Sequence, residues 1–265
     1  NLDNNYVDSF CEKVGALGVR WHAEMRADRF RSEHVRKMQQ AGCYRILIGV
    51  ETFDDQIAHA INKPVSVEAV RSAVAVCTEH GVQSWLSFVL GLGTTMKATY
   101  RSAAKSAEHV RDMGLGWSEG VPYFMYTGTR EYKQRFGSED DGPFPVFYHP
   151  FPLVVMADLM VLFCNIRQRH WVELDGQKLT SFLDLGRLLL KDRSRKVDPS
   201  IIDSLAKNAG KSELFQAIFK SPKRTGLALK ELAVAWECDQ ASARYDFKQE
   251  LVRYELALSE MGTWP

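Results

Sequence analysis

YRILIGVETFDDQIAHAINK, residues Tyr44 to Lys63, decides the fold. An apolar run, Arg45-Ile46-Leu47-Ile48, ends at Gly49, and a lone carboxylate follows at Glu51. Asp54 is placed to cap a helix that carries Ile57, Ala58 and Ile61 on one side. A strand that delivers a carboxylate to its C-terminal end and turns at once into a helix is the unit of an α/β barrel.

The same unit recurs on both sides. Upstream, Tyr6–Leu17 has helical spacing and Gly18 stops it. Val19–Ala27 then alternates, with Trp21, Ala23, Met25 and Ala27 on one face and His22, Glu24, Arg26 and Asp28 on the other. In an isolated sheet the polar face would meet water, whereas in a barrel it would line a cavity. Ser32 is expected to cap the next helix, which ends at Gly42. Downstream, Ser66 opens a helix that runs to His80, Val82–Leu90 reads as a strand, and Gly91-Leu92-Gly93 forms its exit. Thr95–Met113 reads as helix, and Leu115–Tyr126 as a last strand interrupted by Gly120 and Pro122. Strands at such intervals, each followed by a helix, mean parallel βα units.

Around residues 133–152 prolines, glycines and aromatics crowd together, which reads as a linker loop. Beyond it helices are expected over Leu153–Arg169, Lys178–Lys191, Pro199–Ala209, Ser212–Lys220 and Leu227–Met261. The ten Lys and Arg between Arg187 and Arg224, with only Phe215 and Phe219 among them as aromatics, read as a solvated helix surface rather than a nucleic-acid-binding one.

Composition sets the class. Of 265 residues, 45% are hydrophobic and 25% charged, and the net charge is +1, as in an ordinary globular chain with a large core. No apolar run approaches a membrane span, so no membrane partner is expected. The five cysteines, Cys11, Cys43, Cys77, Cys164 and Cys238, lie singly, with no CxxC. Such a set suggests free thiols, a reducing, cytoplasmic setting and no metal site in this chain.

Four stretches in order, RWHAEMRADRF, KMQQAGCYRILIGVETFDDQIAHAINK, GVQSWLSFVLGLG and PYFMYTGT, resemble the middle and end of a radical S-adenosylmethionine (radical SAM) enzyme core. The flavour is that of the branch that often carries a cobalamin domain and includes many methyltransferases. The resemblance covers residues 1–132, read as the C-terminal part of the barrel core. Residues 133–152 are then the linker, and 153–265 a helical C-terminal region that would act as a lid on the substrate site. The fold class implied is α/β: the later strands of a (β/α)6 barrel, followed by helices.

The resemblance implies a chemistry. An intact enzyme of this kind cleaves S-adenosylmethionine reductively to a 5′-deoxyadenosyl radical that abstracts hydrogen. In the cobalamin branch a methyl group is then transferred to an unactivated carbon. The cofactors implied are S-adenosylmethionine, a [4Fe–4S] cluster and, in that branch, cobalamin. The cluster's CxxxCxxC loop is absent, and the order of motifs places it upstream of Asn1. The sequence therefore reads as a fragment, or else as a relative that lost the cluster; as a fragment its partner is the remainder of its own polypeptide, acting on a small-molecule or peptide substrate.

The site residues are carried over on the same footing. Arg26 would hold a carboxylate or ribose, or else pair with Glu24 or Asp28. Glu51 would hold the ribose hydroxyls or amino group, or else serve the helix that follows. Lys63 would meet the methionine carboxylate, or stay a solvated lysine. Ser87 would point at the ribose or pack as a small residue. Val89 and Gly91 lie on the strand end where the adenine rests. Tyr123, Tyr126 and Thr127 would line the substrate mouth or pack against later helices.

Two rival classes remain open: a cluster-free (β/α) barrel acting on a small anionic metabolite with Glu51 and Lys63 as acid–base groups, and a non-catalytic binding module. The weak helix-turn-helix look of Leu229–Leu251 belongs to the second.

Overall fold

A computed structural model describes residues 4–114, 117–126, 128–130, 132–133, 147–191, 197–209, 218, 222–239 and 245–246. The chain divides into two compact units. The first comprises residues 1–89 and 109–121, the second residues 90–108 and 122–265.

In the first unit, helix α1 (Asn4–Gly15) leads into strand β1 (Trp21–Arg26), and α2 (Ser32–Gln40) into β2 (Cys43–Glu51). Helices α3 (Asp55–Ala60) and α4 (Val67–Glu79) lead into β3 (Gln83–Leu90). Helix α5 (Met96–Asp112), which begins in the second unit, precedes β4 (Ser118–Pro122). The sheet order is β1-β2-β3-β4, with β1–β2 and β2–β3 parallel. Leu86 N–H donates to Trp117 at 3.3 Å and Tyr123 N–H to Leu90 at 2.7 Å, so partners on β3 and β4 advance together, as in a parallel pair. The α/β class and the chain of βα units expected from the sequence are both present.

Alternation divides the sheet's two faces. Ile46, Ile48 and Val50 of β2 and Leu86 and Phe88 of β3 are fully buried, and Val35, Met38, Ile57, Val70, Ala73 and Cys77 of the flanking helices are buried as well. Phe53 joins that layer, 5.5 Å from Phe88 and 5.0 Å from His109, ring to ring. From Arg45 onward the odd-numbered positions of β2 and β3 stay half-buried.

Two expected caps hold and one does not. Asp54 accepts from the N–H groups of Gln56 and Ile57, and Ser66 from that of Ala69. Ser32 is instead the first helical residue, and its hydroxyl meets His80 Nε2 at 2.6 Å.

In the second unit, α6 (Leu153–Arg167) is buried on nearly every side. Two polar residues on it carry its ties. Asp158 accepts the Tyr100 hydroxyl at 2.6 Å and the Phe182 and Leu183 N–H groups at 2.6 and 3.0 Å. Asn165 donates to the carbonyls of Thr180 and Leu205. Helices α7 (Phe182–Lys191), α8 (Pro199–Ala206) and α9 (Pro222–Cys238) follow. After α9, Asp239 turns back at φ 45° and caps α5 through the Lys97 N–H at 2.9 Å.

Several expected boundaries move. The last expected strand breaks at Pro122: Met125–Tyr126 forms β5, antiparallel to β6 (Phe147–His149), which lies inside the expected linker and pairs in turn with β9 (Tyr245–Asp246). The expected helix from Lys178 is a hairpin first. Strands β7 (Val172–Leu174) and β8 (Gln177–Leu179) pair around Asp175-Gly176, both at positive φ. That Asp-Gly pair is the turn signal of a two-residue hairpin. Helix α7 starts only after a capping box in which Ser181 and Asp184 each accept a backbone N–H. The expected helix Leu227–Met261 ends at Cys238, and Ser212–Lys220 falls almost wholly outside the described residues. Among the described residues no helix is long and apolar enough to cross a membrane.

Candidate functional site

The first unit gathers four of the expected site residues around one glycine. In register, Arg26 pairs with Gly49 and Gly49 with Ser87, one row across β1, β2 and β3. Neighbouring strands lie about 4.8 Å apart. Arg26 and Ser87 therefore flank a gap roughly 10 Å wide that has no side chain at its centre.

The C-terminal end of β2 is bent to fill that gap from above. Pairing with β3 skips a residue between Gly49 and Glu51, a β-bulge, and Glu51 itself sits at φ 66°. A glutamate in this left-handed region costs about 1–2 kcal/mol, so the neighbouring contacts must hold it there. Thr52 N–H closes a tight turn onto the Val50 carbonyl at 2.9 Å, and Thr52 Oγ1 accepts the Asp54 N–H at 2.9 Å.

Lys63 arrives from the other side. Helix α3 ends in a Schellman motif: Lys63 N–H donates to Ala58 and Asn62 N–H to His59, with Asn62 at φ 55°. That reversal aims the lysine back at the strand end, where its ammonium pairs with Glu51 Oε1. The two side chains are only 25% and 21% exposed. A β-carbon on Gly49 would lie 3.1 Å from Lys63 Nζ and 3.3 Å from Glu51 Oε1. Gly49 is therefore a cradle, and its bare Cα is the floor on which the ion pair rests.

Arg26 takes the alternative partner considered from the sequence. It makes two hydrogen bonds to Asp28, at 2.9 and 3.2 Å, in an exposed pair. Asp28's carboxyl is held below the usual range, chiefly by the Arg26 hydrogen bond. Val89 is half-buried on β3.

The remaining expected residues belong to the second unit. Gly91, at φ 103°, ends β3. Tyr123 packs against the buried pair Met125 and Tyr132, and Tyr126 is half exposed. Thr127 lies outside the described residues.

One assembly had no signal in the sequence. Arg45 lies 5.2 Å from the Tyr44 ring and 4.7 Å from the Trp85 ring, Arg20 covers Tyr44 at 4.6 Å, and Trp85 meets Trp117 at 5.7 Å. These residues are scattered from 20 to 117 and only strand pairing brings them into a ladder. Alternating guanidinium and aromatic faces stabilise one another.

The donors fit the two implied cofactors differently. For S-adenosylmethionine the set is apt: a carboxylate for ribose hydroxyls or an amine, an ammonium for a carboxylate, a hydroxyl, and a cradle that a β-carbon would fill. For a [4Fe–4S] cluster it is not. Among the described residues no three of His, Cys, Asp and Glu are grouped to hold a metal. Burial pushes the Cys43 thiol up to about 11 and the Cys77 thiol up to about 12.

Comparison with known proteins agrees with the resemblance read from the four stretches. The radical SAM superfamily profile matches residues 3–104. A protein named as an uncharacterized methyltransferase of Pyrococcus horikoshii is 22% identical over 118 residues, 44% of this chain and 25% of its own. Among solved structures, the radical S-adenosylmethionine methyltransferase TsrM of Kitasatospora setae, bound to tryptophan and a SAM analog, is similar with a TM-score of 0.44 at 13% identity. That match covers 98% of this chain and 52% of TsrM. Coproporphyrinogen III oxidase of Escherichia coli gives a TM-score of 0.40 at 14% identity, over 46% of this chain and 29% of its own. The chain thus spans about half the length of TsrM and a quarter of the curated relative.

Proposed function

We propose that this chain is the S-adenosylmethionine-binding part of a radical SAM enzyme, with the cluster supplied by residues other than these. The observation that carries the reading is the Glu51–Lys63 pair over Gly49. A zwitterionic nucleoside can replace each half of that pair with a group of the same charge. Its carboxylate would take the Lys63 ammonium, and its ribose hydroxyls or amine would take the Glu51 carboxylate. Ser87, on the same row as Gly49, would offer a neutral hydroxyl beside them. Exchange of one ion pair for two charge-assisted hydrogen bonds leaves no buried charge alone.

Bound S-adenosylmethionine would supply the 5′-deoxyadenosyl group on reductive cleavage. This chain's residues would bind and orient it. The expectation of methyl transfer, with cobalamin as carrier, rests on the resemblance, and the described residues bear on the nucleoside rather than on a corrin. The substrate and any lid role for the helices after residue 153 are parts of the same proposal.

Calorimetric titration of S-adenosylmethionine into wild type, Glu51→Ala and Ser87→Ala tests it. Losing a hydrogen bond to a charged group costs about 1.5–3 kcal/mol, and to a neutral one about 1 kcal/mol. Glu51→Ala should weaken binding tenfold or more (about 1.4 kcal/mol per tenfold), and Ser87→Ala roughly fivefold. Unchanged affinity in Glu51→Ala would remove the assignment.

A further inference from the structure

We propose that the aromatic–guanidinium ladder of the first unit is a binding site for a phosphate together with its nucleobase, the chemistry shared by free nucleotides and single-stranded nucleic acid. All its residues belong to that unit. Arg45 lies four residues before Gly49 on β2, about 13 Å along the strand. The ladder is thus a second place on the first unit, independent of the S-adenosylmethionine reading.

The chain's own residues leave two needs of the ladder unmet. The first is an acceptor. Trp85 Nε1 is buried and has no hydrogen-bond partner among the described residues. A buried N–H left alone is costly, so this one calls for an acceptor from outside the chain. The second is a counter-charge. Arg45 Nε donates to Gln83 Oε1 at 3.1 Å, which leaves the two terminal nitrogens of its guanidinium. Arg26, Arg29, Lys37 and Lys63 of the same unit each meet a carboxylate. Among the described residues Arg20 and Arg45 meet none. In register, His22 and Gln83 flank Arg45, while Glu24 stands opposite Leu47, one row away, and is exposed.

An occupant must therefore bring acceptor oxygens, negative charge and a flat face. The flat face has its place on Trp117, which lies 5.7 Å from the Trp85 ring and is 55% exposed. Arg20, over the Tyr44 ring, ends the ladder on the other side with a second guanidinium. A phosphate answers Arg45 and the Trp85 N–H, a base stacks on Trp117, and a further phosphate along a strand reaches Arg20. An aliphatic carboxylate would use the charge and leave the ring bare. A neutral ring would do the reverse. Cations interleaved with aromatic faces are the means by which single strands are held. The basic run from Arg187 to Arg224 lacks that alternation and takes no part.

The test uses the full 265-residue chain and a fluorescein-labelled thymidine oligonucleotide of about 12 nucleotides, followed by anisotropy across a salt series. Each phosphate contact on a single strand contributes about −0.7 to the slope of log affinity against log salt, so two guanidiniums give roughly −1.4. Arg45→Gln should bring that slope to about −0.7. Trp85→Phe keeps the ring and removes only the N–H; it should weaken binding roughly tenfold, with the melting temperature as the control for folding. Trp117→Ala, at an exposed position, should weaken it about fivefold or more. Thymidine monophosphate sorts the source. Full displacement of the strand at millimolar concentration assigns the site to single nucleotides, and none assigns it to nucleic acid. Trp85→Phe and Trp117→Ala proteins that bind as wild type would overturn the proposal. So would a base-free polyphosphate that competes as well as unlabelled oligonucleotide, since charge alone would then account for binding. Absence of binding to both strand and nucleotide at millimolar concentration would also overturn it.

Discussion

Replacing Asp158 with asparagine should abolish a pH dependence of stability that the wild type carries. Asp158 is fully buried, and its carboxylate accepts three hydrogen bonds, from the Tyr100 hydroxyl and from the two N–H groups that open α7. Burial pushes its carboxyl up to about 7 from the ordinary 3.8, and the three donors only partly oppose that rise. The folded state therefore holds the proton more tightly than the unfolded chain. Between pH 4 and 7 the unfolded state has already released the proton, so stability falls as pH rises and levels off above 7. The gap between 3.8 and about 7, at about 1.4 kcal/mol per pH unit, amounts to about 4 kcal/mol. Urea unfolding followed by circular dichroism at half-unit steps from pH 4 to 8 measures it. The wild-type advantage over Asp158→Asn should shrink by up to that amount across the window and be flat beyond. A constant advantage, or one that grows with pH, would show the carboxylate to be ionised throughout and refute the reasoning. Asp158→Ala should be worse at every pH, by about 3–5 kcal/mol, because three buried donors lose their acceptor.

Gly91→Ala should destabilise by about 2–5 kcal/mol, combining a left-handed alanine with overpacking against Met156. A thermal melt unchanged within error would mean that α6 yields freely at that point. Arg26→Ala should cost no more than about 1 kcal/mol at pH 7, because its pair with Asp28 is exposed on both sides. Asp28 is held below the ordinary carboxylate range, so that small contribution is present above about pH 4 and vanishes as pH falls through the lowered value. Denaturation at pH 7 and at pH 2 reads both ends.

The first unit was legible in the sequence because its signals are local. Gly18, Gly42 and Gly81 punctuate the helices, Asp54 and Ser66 cap where their spacing says they should, and alternation along Val19–Ala27 separates the faces correctly. The row of Arg26 and Ser87 about Gly49 follows from parallel register, which the βα pattern implies. The left-handed Glu51 was not legible: no residue type announces a bulge whose conformation is held by Thr52, Lys63 and an absent β-carbon twelve to fourteen residues from the lysine. In the second unit the Asp175-Gly176 turn and the Ser181–Asp184 capping box were present in the sequence and outweighed by the long apolar periodicity around them. Asp158 carries no pattern at all, since a carboxylate inside an apolar helix declares its purpose only when Tyr100 and Phe182 come to meet it.

Hydrogen exchange followed by mass spectrometry, with and without millimolar S-adenosylmethionine, tests the central claim most directly. Slowed exchange is expected in the peptides that carry Gly49–Phe53, Ile61–Lys63 and Ser87–Val89, with loss of that protection in Lys63→Met and Glu51→Gln. Exchange unchanged in all three stretches, or protection confined to α1 and α2, would contradict it.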